Sequence, residues 1–418
     1  MGRVVIVDPA FASSAGHHVD VNDQLLEVLS QQGWAVQCWC DEAVTRGGCI
    51  GVFSGCGYVD PRHWADLGGT VHLAKRMERQ FLKALGRPAG EPPQPVIGWV
   101  LHTALPFQLL GLARALRHQP RAVVVVSLMF SPGETLEGEG GVPSAVANCR
   151  MALSALARAV KQGGHRLHLQ FPSQQGQELY TPVLKAAGLS SSGLHPAVVG
   201  TERRIATHSV APPQCSNNRA RILLHWGDTK VGKGRQEALE VVTRLLNGGP
   251  LPPPLDSAEW LFQLHSEAPL PESERVLLDR GRQQVKGFLW LNERVGLVRM
   301  QELLAGCDVA LLAYDPNLYR YRSSGLLWSY ASARWHSRRS AAIVGRSGGW
   351  LEREARDLGL TWWSGADGSW LESLASAVIQ SRAEASRGAD QYTDYGRWML
   401  GNGFATHVAE LIKNSEPT

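Results

Sequence analysis

The chain has 418 residues, too many for one ordinary hydrophobic core, and at about 100–200 residues per domain the expectation is two domains. Hydrophobic residues make up 44% and charged residues 19%, which supplies enough apolar surface for real cores and excludes a disordered chain. Forty-two Lys and Arg against 38 Asp and Glu leave a net charge of +4 dispersed along the sequence, so no concentrated basic footprint points to nucleic acid.

The sequence opens directly on Arg3-Val4-Val5-Ile6-Val7-Asp8, a strand-like run without a basic n-region, a long apolar core or a cleavage site, so no signal peptide is expected. A helix over 24–32 follows, with Leu25, Leu26, Val28 and Leu29 at helical spacing. Strands are predicted over 34–39, 96–101, 122–128 and 166–170, and helices over 70–85, 107–116, 144–161 and 174–187. The most apolar long stretch, 96–116, is interrupted by His102, Pro106, Gln108 and Arg114. It therefore reads as strand, turn and helix, not as a transmembrane segment, and leaves only peripheral contact with a membrane surface open.

The seven cysteines, Cys38, Cys40, Cys49, Cys56, Cys149, Cys215 and Cys307, are odd in number and irregular in spacing, which argues against a disulfide framework and for a reducing cytoplasmic setting. Cys38 and Cys40 share one face of a predicted strand, and without a second ligand pair they read as buried apolar residues.

Between 193 and 218 the periodicity breaks into turn-formers such as His195-Pro196 and Ala211-Pro212-Pro213, which marks a linker. A second series follows, with strands predicted over 221–226, 260–264, 285–288, 309–313 and 341–344 and helices over 235–246, 299–305 and 326–333. The run Pro250-Leu251-Pro252-Pro253-Pro254 is a stiff surface loop inside this series. A last segment, 392–412, has apolar residues at helical spacing around Gly401-Asn402-Gly403, which predicts two helical pieces with a kink. Alternating strands and helices imply doubly wound parallel sheets covered on both faces, one in each half.

The strongest chemical signal is the stretch 221–234, in which the strand Arg221–Trp226 runs into Gly227-Asp228-Thr229-Lys230-Val231-Gly232-Lys233-Gly234 and then a helix. Glycine turns and helix N–H groups can face an anion there, and Lys233 adds a charge, which suits phosphate; the bland reading is an ordinary strand–helix turn. The same residues nearly spell a P-loop, and Asp315 after an apolar strand resembles its Mg²⁺-binding acid, but Gly234 stands where that motif needs a Ser or Thr. Tyr319-Arg320-Tyr321-Arg322-Ser323-Ser324-Gly325 opens another helix, and its Ser hydroxyls can cap that helix or hold phosphate beside Arg320 or Arg322.

Together these residues resemble the C-terminal domain of GT-B glycosyltransferases, in particular the large retaining group built on two Rossmann-like domains, and the resemblance spans nearly the whole chain. It implies an α/β GT-B architecture, two doubly wound domains facing a central cleft, with an acceptor domain over 1–200, a donor domain over 218–391 and a helical segment 392–418 crossing back to the first. Gly227 and Lys233-Gly234 are similar to the family's diphosphate grip, with Thr229 in the same loop and Asp228 where an Arg is usual. Arg322, Ser323, Ser324 and Gly325 match the loop entering the donor-site helix, and Ser329 stands nearest to the Glu that commonly holds the donor ribose. Gly16 and His17 are similar to the first loop of the acceptor domain, and His102 is a candidate contact for the transferred sugar or the acceptor, a lone His being as often structural.

No His-Glu-x-x-His, Gly-x-Ser-x-Gly or Asp-x-Asp motif is present, and His165 and His168 on one predicted strand point to opposite faces, so no metal and no other cofactor is expected. The resemblance thus implies a hexosyltransferase that moves a sugar from a nucleoside-diphosphate donor to a hydroxyl of an undetermined glycan, lipid or small molecule, metal-independent and retaining. Electrostatic stabilisation of the departing diphosphate by Lys233 would carry the catalysis. A P-loop-like nucleotide hydrolase and a non-catalytic glycosyltransferase-like binding protein are the competing expectations.

Overall fold

A computed structural model describes residues 2–13, 17–60, 63–86, 94–133, 143–191, 193–199, 219–227, 230–264 and 270–415. The chain forms two compact units, the first made of Met1–Val198 and Asn402–Thr418, the second of Val199–Gly401.

The first unit alternates β1 (Arg3–Val7), α1 (His17–Gln31), β2 (Ala35–Asp41), β3 (Cys49–Phe53), α2 (Leu67–Leu85), β4 (Val96–Leu101), α3 (Pro106–Leu116), β5 (Val123–Ser127), α4 (Pro143–Gly163), β6 (Arg166–Phe171), α5 (Gln174–Ala187) and β7 (Gly193–Leu194). The strands form one sheet in the order β3-β2-β1-β4-β5-β6-β7, and every pairing is parallel. Period-two alternation divides its core between two faces. Val5 and Val7 of β1 join Trp39, Phe81 and Trp99 on one side, while Val4 and Ile6 join Leu25 and Leu29 of α1 on the other. The Val-only run of β5 is buried on both faces, the pattern a central parallel strand requires.

The second unit contains β8 (Arg221–Gly227), α6 (Arg235–Leu246), β9 (Glu259–Leu264), α7 (Glu272–Gln284), β10 (Phe288–Leu291), α8 (Leu297–Ala305), β11 (Val309–Leu312), α9 (Gly325–His336), β12 (Ala342–Gly345), α10 (Trp350–Leu358), β13 (Thr361–Ser364), α11 (Trp370–Ala383) and α12 (Asp394–Gly401). Its sheet runs β10-β9-β8-β11-β12-β13, again parallel throughout. In each sheet the strand order reverses beside the first strand, between β1 and β4 and between β8 and β11, which leaves a crevice at the carboxyl ends of those strands.

The closing segment divides at Gly401. α12 packs on α9 and α10 within the second unit, whereas α13 (Phe404–Lys413) belongs to the first and buries Phe404, Val408 and Ile412 against Val4 and Ile6. The part that belongs to the first unit begins at Asn402, ten residues after Tyr392, where the apolar helical spacing and the family resemblance begin the crossing segment.

Two local expectations are corrected. The strand predicted over 285–288 starts only at Phe288, because Val285 ends α7 and Gly287 turns the chain at φ +79°. His165 precedes β6 instead of lying on it; its Nδ1 accepts from the Ala122 N–H at 3.2 Å and its Nε2 donates to the Leu116 carbonyl at 3.1 Å, a structural tie. Most of the linker expected over 193–218 lies outside the described residues.

Candidate functional site

In the first unit, Asp8 follows β1 and His102 follows β4, so the two strands flanking the crevice deliver a carboxylate and an imidazole to the same place. The first turn of α1 brings His18, and Asn22 lies one turn further along the same helix face. Oδ2 of Asp8 accepts from His18 Nδ1 at 2.8 Å, from Asn22 Nδ2 at 2.6 Å and from His102 Nε2 at 3.1 Å. Asp8, Asn22 and His102 are all buried. Burial opposes the Asp8 charge, but the two histidines beside it and their hydrogen bonds hold its carboxyl well below the usual carboxylate range.

The outward nitrogens of both rings are also engaged. Tyr58 OH lies 2.9 Å from His18 Nε2, and Thr103 Oγ1 lies 3.2 Å from His102 Nδ1. The inward nitrogens donate to Asp8, and the outward ones share a hydrogen bond with these hydroxyls. Tyr58 is 43% exposed as a residue, yet its hydroxyl end lies inside the cluster, where burial first and the Asp8 charge second push its ionisation up. His17 is exposed and its ring sits 4.2 Å from that of His18. Gly16 lies outside the described residues.

In the second unit, Gly227, Gly232 and Gly234 all have positive φ, at +126°, +78° and +75°. Gly234 is the N-cap of α6, and a Cβ there would meet the Ala313 backbone at 3.0 Å, so only glycine fits beside the end of β11. A hydrogen bond of 2.9 Å from the Asp315 N–H to the Gly232 carbonyl ties the same loop to the segment after β11. The loop 230–234 is thereby pinned at the crevice of the second sheet, with half-buried Lys233 opening α6. The Gly227 N–H is already donated to Gln263 Oε1 at 2.9 Å, so Gly227 contributes the turn. Thr229 and Asp228 lie outside the described residues.

Ser324 is buried and acts as the N-cap of α9: its Oγ accepts from the Leu327 N–H at 3.3 Å and stands 3.4 Å from Tyr314 OH. Gly325 begins that helix with nothing within 4 Å of where a Cβ would stand, so there is free space beside the helix start. Arg322 and Ser323 are half-buried on the preceding loop. Ser329, one turn into α9, is half-buried between Trp328, which donates to Glu354 Oε1 at 3.2 Å, and Tyr330, which donates to the Asp308 carbonyl at 3.1 Å. Gly232, Lys233, Gly234, Ser324 and Gly325 thus all belong to connections leaving β8 or β11, the two strands beside the crevice. Such helix N-termini and glycine turns form an anion-binding end.

Sequence reasoning picked out His102 but missed Asp8, His18, Asn22 and Gln263. The available signals were an Asp closing the apolar run 4–7 and a His-His pair at a helix start.

No protein-family model matches the sequence, and no curated protein does. The fold has many solved counterparts. An E. coli structure described as trehalose-6-phosphate bound with UDP-2-fluoro glucose is 12% identical, with 99% of this chain and 98% of that chain covered and a TM-score of 0.62. A trehalose-6-phosphate synthase from Burkholderia multivorans is 12% identical over 99% of both chains at 0.60. A trehalose-6-phosphate synthase studied for glycosyl transfer with retention is 13% identical over 100% of both, also at 0.60. At this identity the likeness is one of fold, and it covers the whole chain: two Rossmann-like α/β units of the GT-B type.

Proposed function

We propose that this chain is a glycosyltransferase that moves a sugar from a nucleoside-diphosphate donor to a hydroxyl acceptor. The observation that carries the reading is the convergence of the Gly232-Lys233-Gly234 turn and the Ser324-Gly325 helix start on the crevice of the second sheet, in a fold shared along its whole length with trehalose-6-phosphate synthases. In this reading the N–H groups at the start of α9 and the Lys233 ammonium receive the diphosphate, with Arg322 and Ser323 at its edge, Thr229 in the same loop and Ser329 towards the ribose. The Ser324 hydroxyl holds the helix start in shape. The first sheet's crevice, with His102 and exposed His17 after the Gly16 loop, takes the sugar and acceptor.

The donor class that fits is a UDP-sugar, since UDP-2-fluoro glucose is what the E. coli structure binds, and retention of configuration follows the same likeness. The diphosphate grip needs no metal, because Lys233 and helix N–H groups supply the charge. Gly234 speaks against a Mg²⁺-dependent P-loop, as it offers no hydroxyl and cannot be replaced beside Ala313. Cys38, Cys40, Cys49, Cys56, Cys149 and Cys307 are thiols, which accords with work in a reducing cytoplasm. Among the described residues no helix is long and apolar enough to cross a membrane.

The test is release of nucleoside diphosphate from a panel of nucleotide sugars by the purified chain, with hexose phosphates, simple sugars and lipid-linked hydroxyls as acceptors. Turnover with one donor class is expected. Tight donor binding with no turnover over all acceptors would leave a binding protein, and neither binding nor turnover would overturn the reading.

A further inference from the structure

The Asp8 carboxylate is buried, and among the described residues no Lys or Arg pairs with it; the groups facing it are His18, Asn22, His102 and the Ala10 N–H. The pocket gathers a carboxylate oxygen, an amide oxygen and two imidazole nitrogens in one buried place. The donor set matches one kind of cation. Oδ2 of Asp8, Nδ1 of His18 and Nε2 of His102 all lie within 4.8 Å of one another. Nε2 of His102 is also 3.1 Å from Asn22 Oδ1, as well as from Asp8 Oδ2, and one N–H cannot point well at two oxygens. A cation in that hollow would be met by both oxygens and both nitrogens.

We propose that Asp8, His18 and His102 bind a divalent transition-metal ion of the zinc class, with Asn22 completing the inner side of the site. Two imidazoles and a carboxylate are the ligand types such ions take, and they leave a position for water or a substrate hydroxyl. Ligand atoms around tetrahedral zinc stand roughly 3.4 Å apart, so the carboxylate–imidazole separations of 2.8 and 3.1 Å need widen by only a few tenths of an ångström. The outer ring nitrogens already have the partners that metal-bound histidines use: Tyr58 OH behind His18 and Thr103 Oγ1 behind His102. Their hydroxyls accept as readily as they donate, so they can take the outer N–H of a metal-bound ring. This site is built from residues of the first unit alone, and it holds whether or not the glycosyltransferase reading does.

The experiment uses the full chain, stripped with chelator, dialysed against Zn²⁺ for elemental analysis and titrated separately with Co²⁺. Equimolar uptake is expected, with visible ligand-field bands of a nitrogen and oxygen site and no thiolate charge-transfer band. Asp8→Asn and His18→Gln, checked for folding by circular dichroism, should abolish uptake, Asn22→Ala should weaken it ~10–100-fold, and Cys49→Ser should leave it unchanged. Should the Asp8 and His18 variants fail to fold, stoichiometry and band pattern of the unaltered chain decide. No uptake by that chain, uptake carrying thiolate bands and lost in Cys49→Ser, or uptake retained by folded Asp8→Asn and His18→Gln would each overturn the site. UDP-glucose binding, measured by calorimetry on the same metal-free preparation, reports on the glycosyltransferase reading separately.

Discussion

Gln263 on β9 holds Gly227 in place: its Oε1 accepts the Gly227 N–H at 2.9 Å while its Nε2 donates to the Glu293 carbonyl at 2.7 Å. One buried amide thus joins the end of β8 to the loop after β10, on either side of its own strand. Gln263→Leu keeps the volume but leaves a donor and an acceptor unpaired, which costs ~1–3 kcal/mol for each group that stays buried. The expected outcome is a lower urea midpoint together with a raised KM for donor. An unchanged KM in a destabilised variant would separate Gln263 from the loop it is argued to position.

Two glycines in the second unit should respond oppositely to Ala. Gly234→Ala imposes a side chain at φ +75° and drives its Cβ against the Ala313 backbone, so both stability and activity should fall, the former by ~1–3 kcal/mol. At Gly325 the Cβ meets nothing, and Gly325→Ala should fold with unchanged or slightly higher stability. If the helix start receives a phosphate, that methyl group crowds it and donor affinity drops. Thermal melts and donor titrations of the pair check this, and normal donor affinity in Gly325→Ala would remove the helix start from the donor site.

How much of this was legible in the sequence depends on how local the signal is. The Val run of β5 and the Arg3–Val7 strand announce central parallel strands, because burial on both faces demands unbroken β-branched residues. β3 is a half-buried edge strand containing Gly51, and α7 buries only Leu278 and Gly281 in a run of charges, so neither carries enough periodicity to be read. The glycine turn after β8 and the helix it opens are contiguous in the chain and so legible in it. The Asp8 cluster is assembled across 94 residues by the order of the strands, and only the fold brings it together.

Glu354 on α10 gives a pH dependence to stability. It is fully buried, its Oε1 accepts from Trp328 Nε1 at 3.2 Å and from Tyr395 OH at 3.0 Å, and its carboxyl is pushed up to about 8 by burial, which outweighs those two donors. The folded state therefore keeps a proton that the unfolded state releases near the ordinary value of 4.5. Its contribution to stability is complete below that value and falls as pH rises through about 8. Glu354→Gln, neutral at every pH, should flatten this decline and make the protein relatively more stable at the alkaline end. Urea denaturation of both forms across the window is the check, and parallel pH profiles would show that Glu354 is not the group responsible.

Lys233 should matter to turnover more than to folding. It is half-buried at the start of α6, between two glycines whose positive φ values, not the Lys side chain, set the path of the loop. Removing its side chain leaves Gly234 against Ala313 and the Asp315–Gly232 bond in place, so the melting temperature should stay close to that of the parent. A charge-assisted hydrogen bond to the departing diphosphate is worth ~1.5–3 kcal/mol, so Lys233→Ala should slow transfer by roughly 10–150-fold. Lys233→Arg, which retains the charge on a different geometry, should recover part of that loss. Ser324→Ala should behave in the opposite sense: it removes the α9 cap bond to Leu327 and should cost ~0.5–2 kcal/mol in stability, with a smaller effect on rate because the helix N–H groups remain. A Lys233→Ala protein that folds normally and transfers sugar at the full rate at low donor concentration would take the diphosphate away from this loop; one that unfolds would make Lys233 a structural residue.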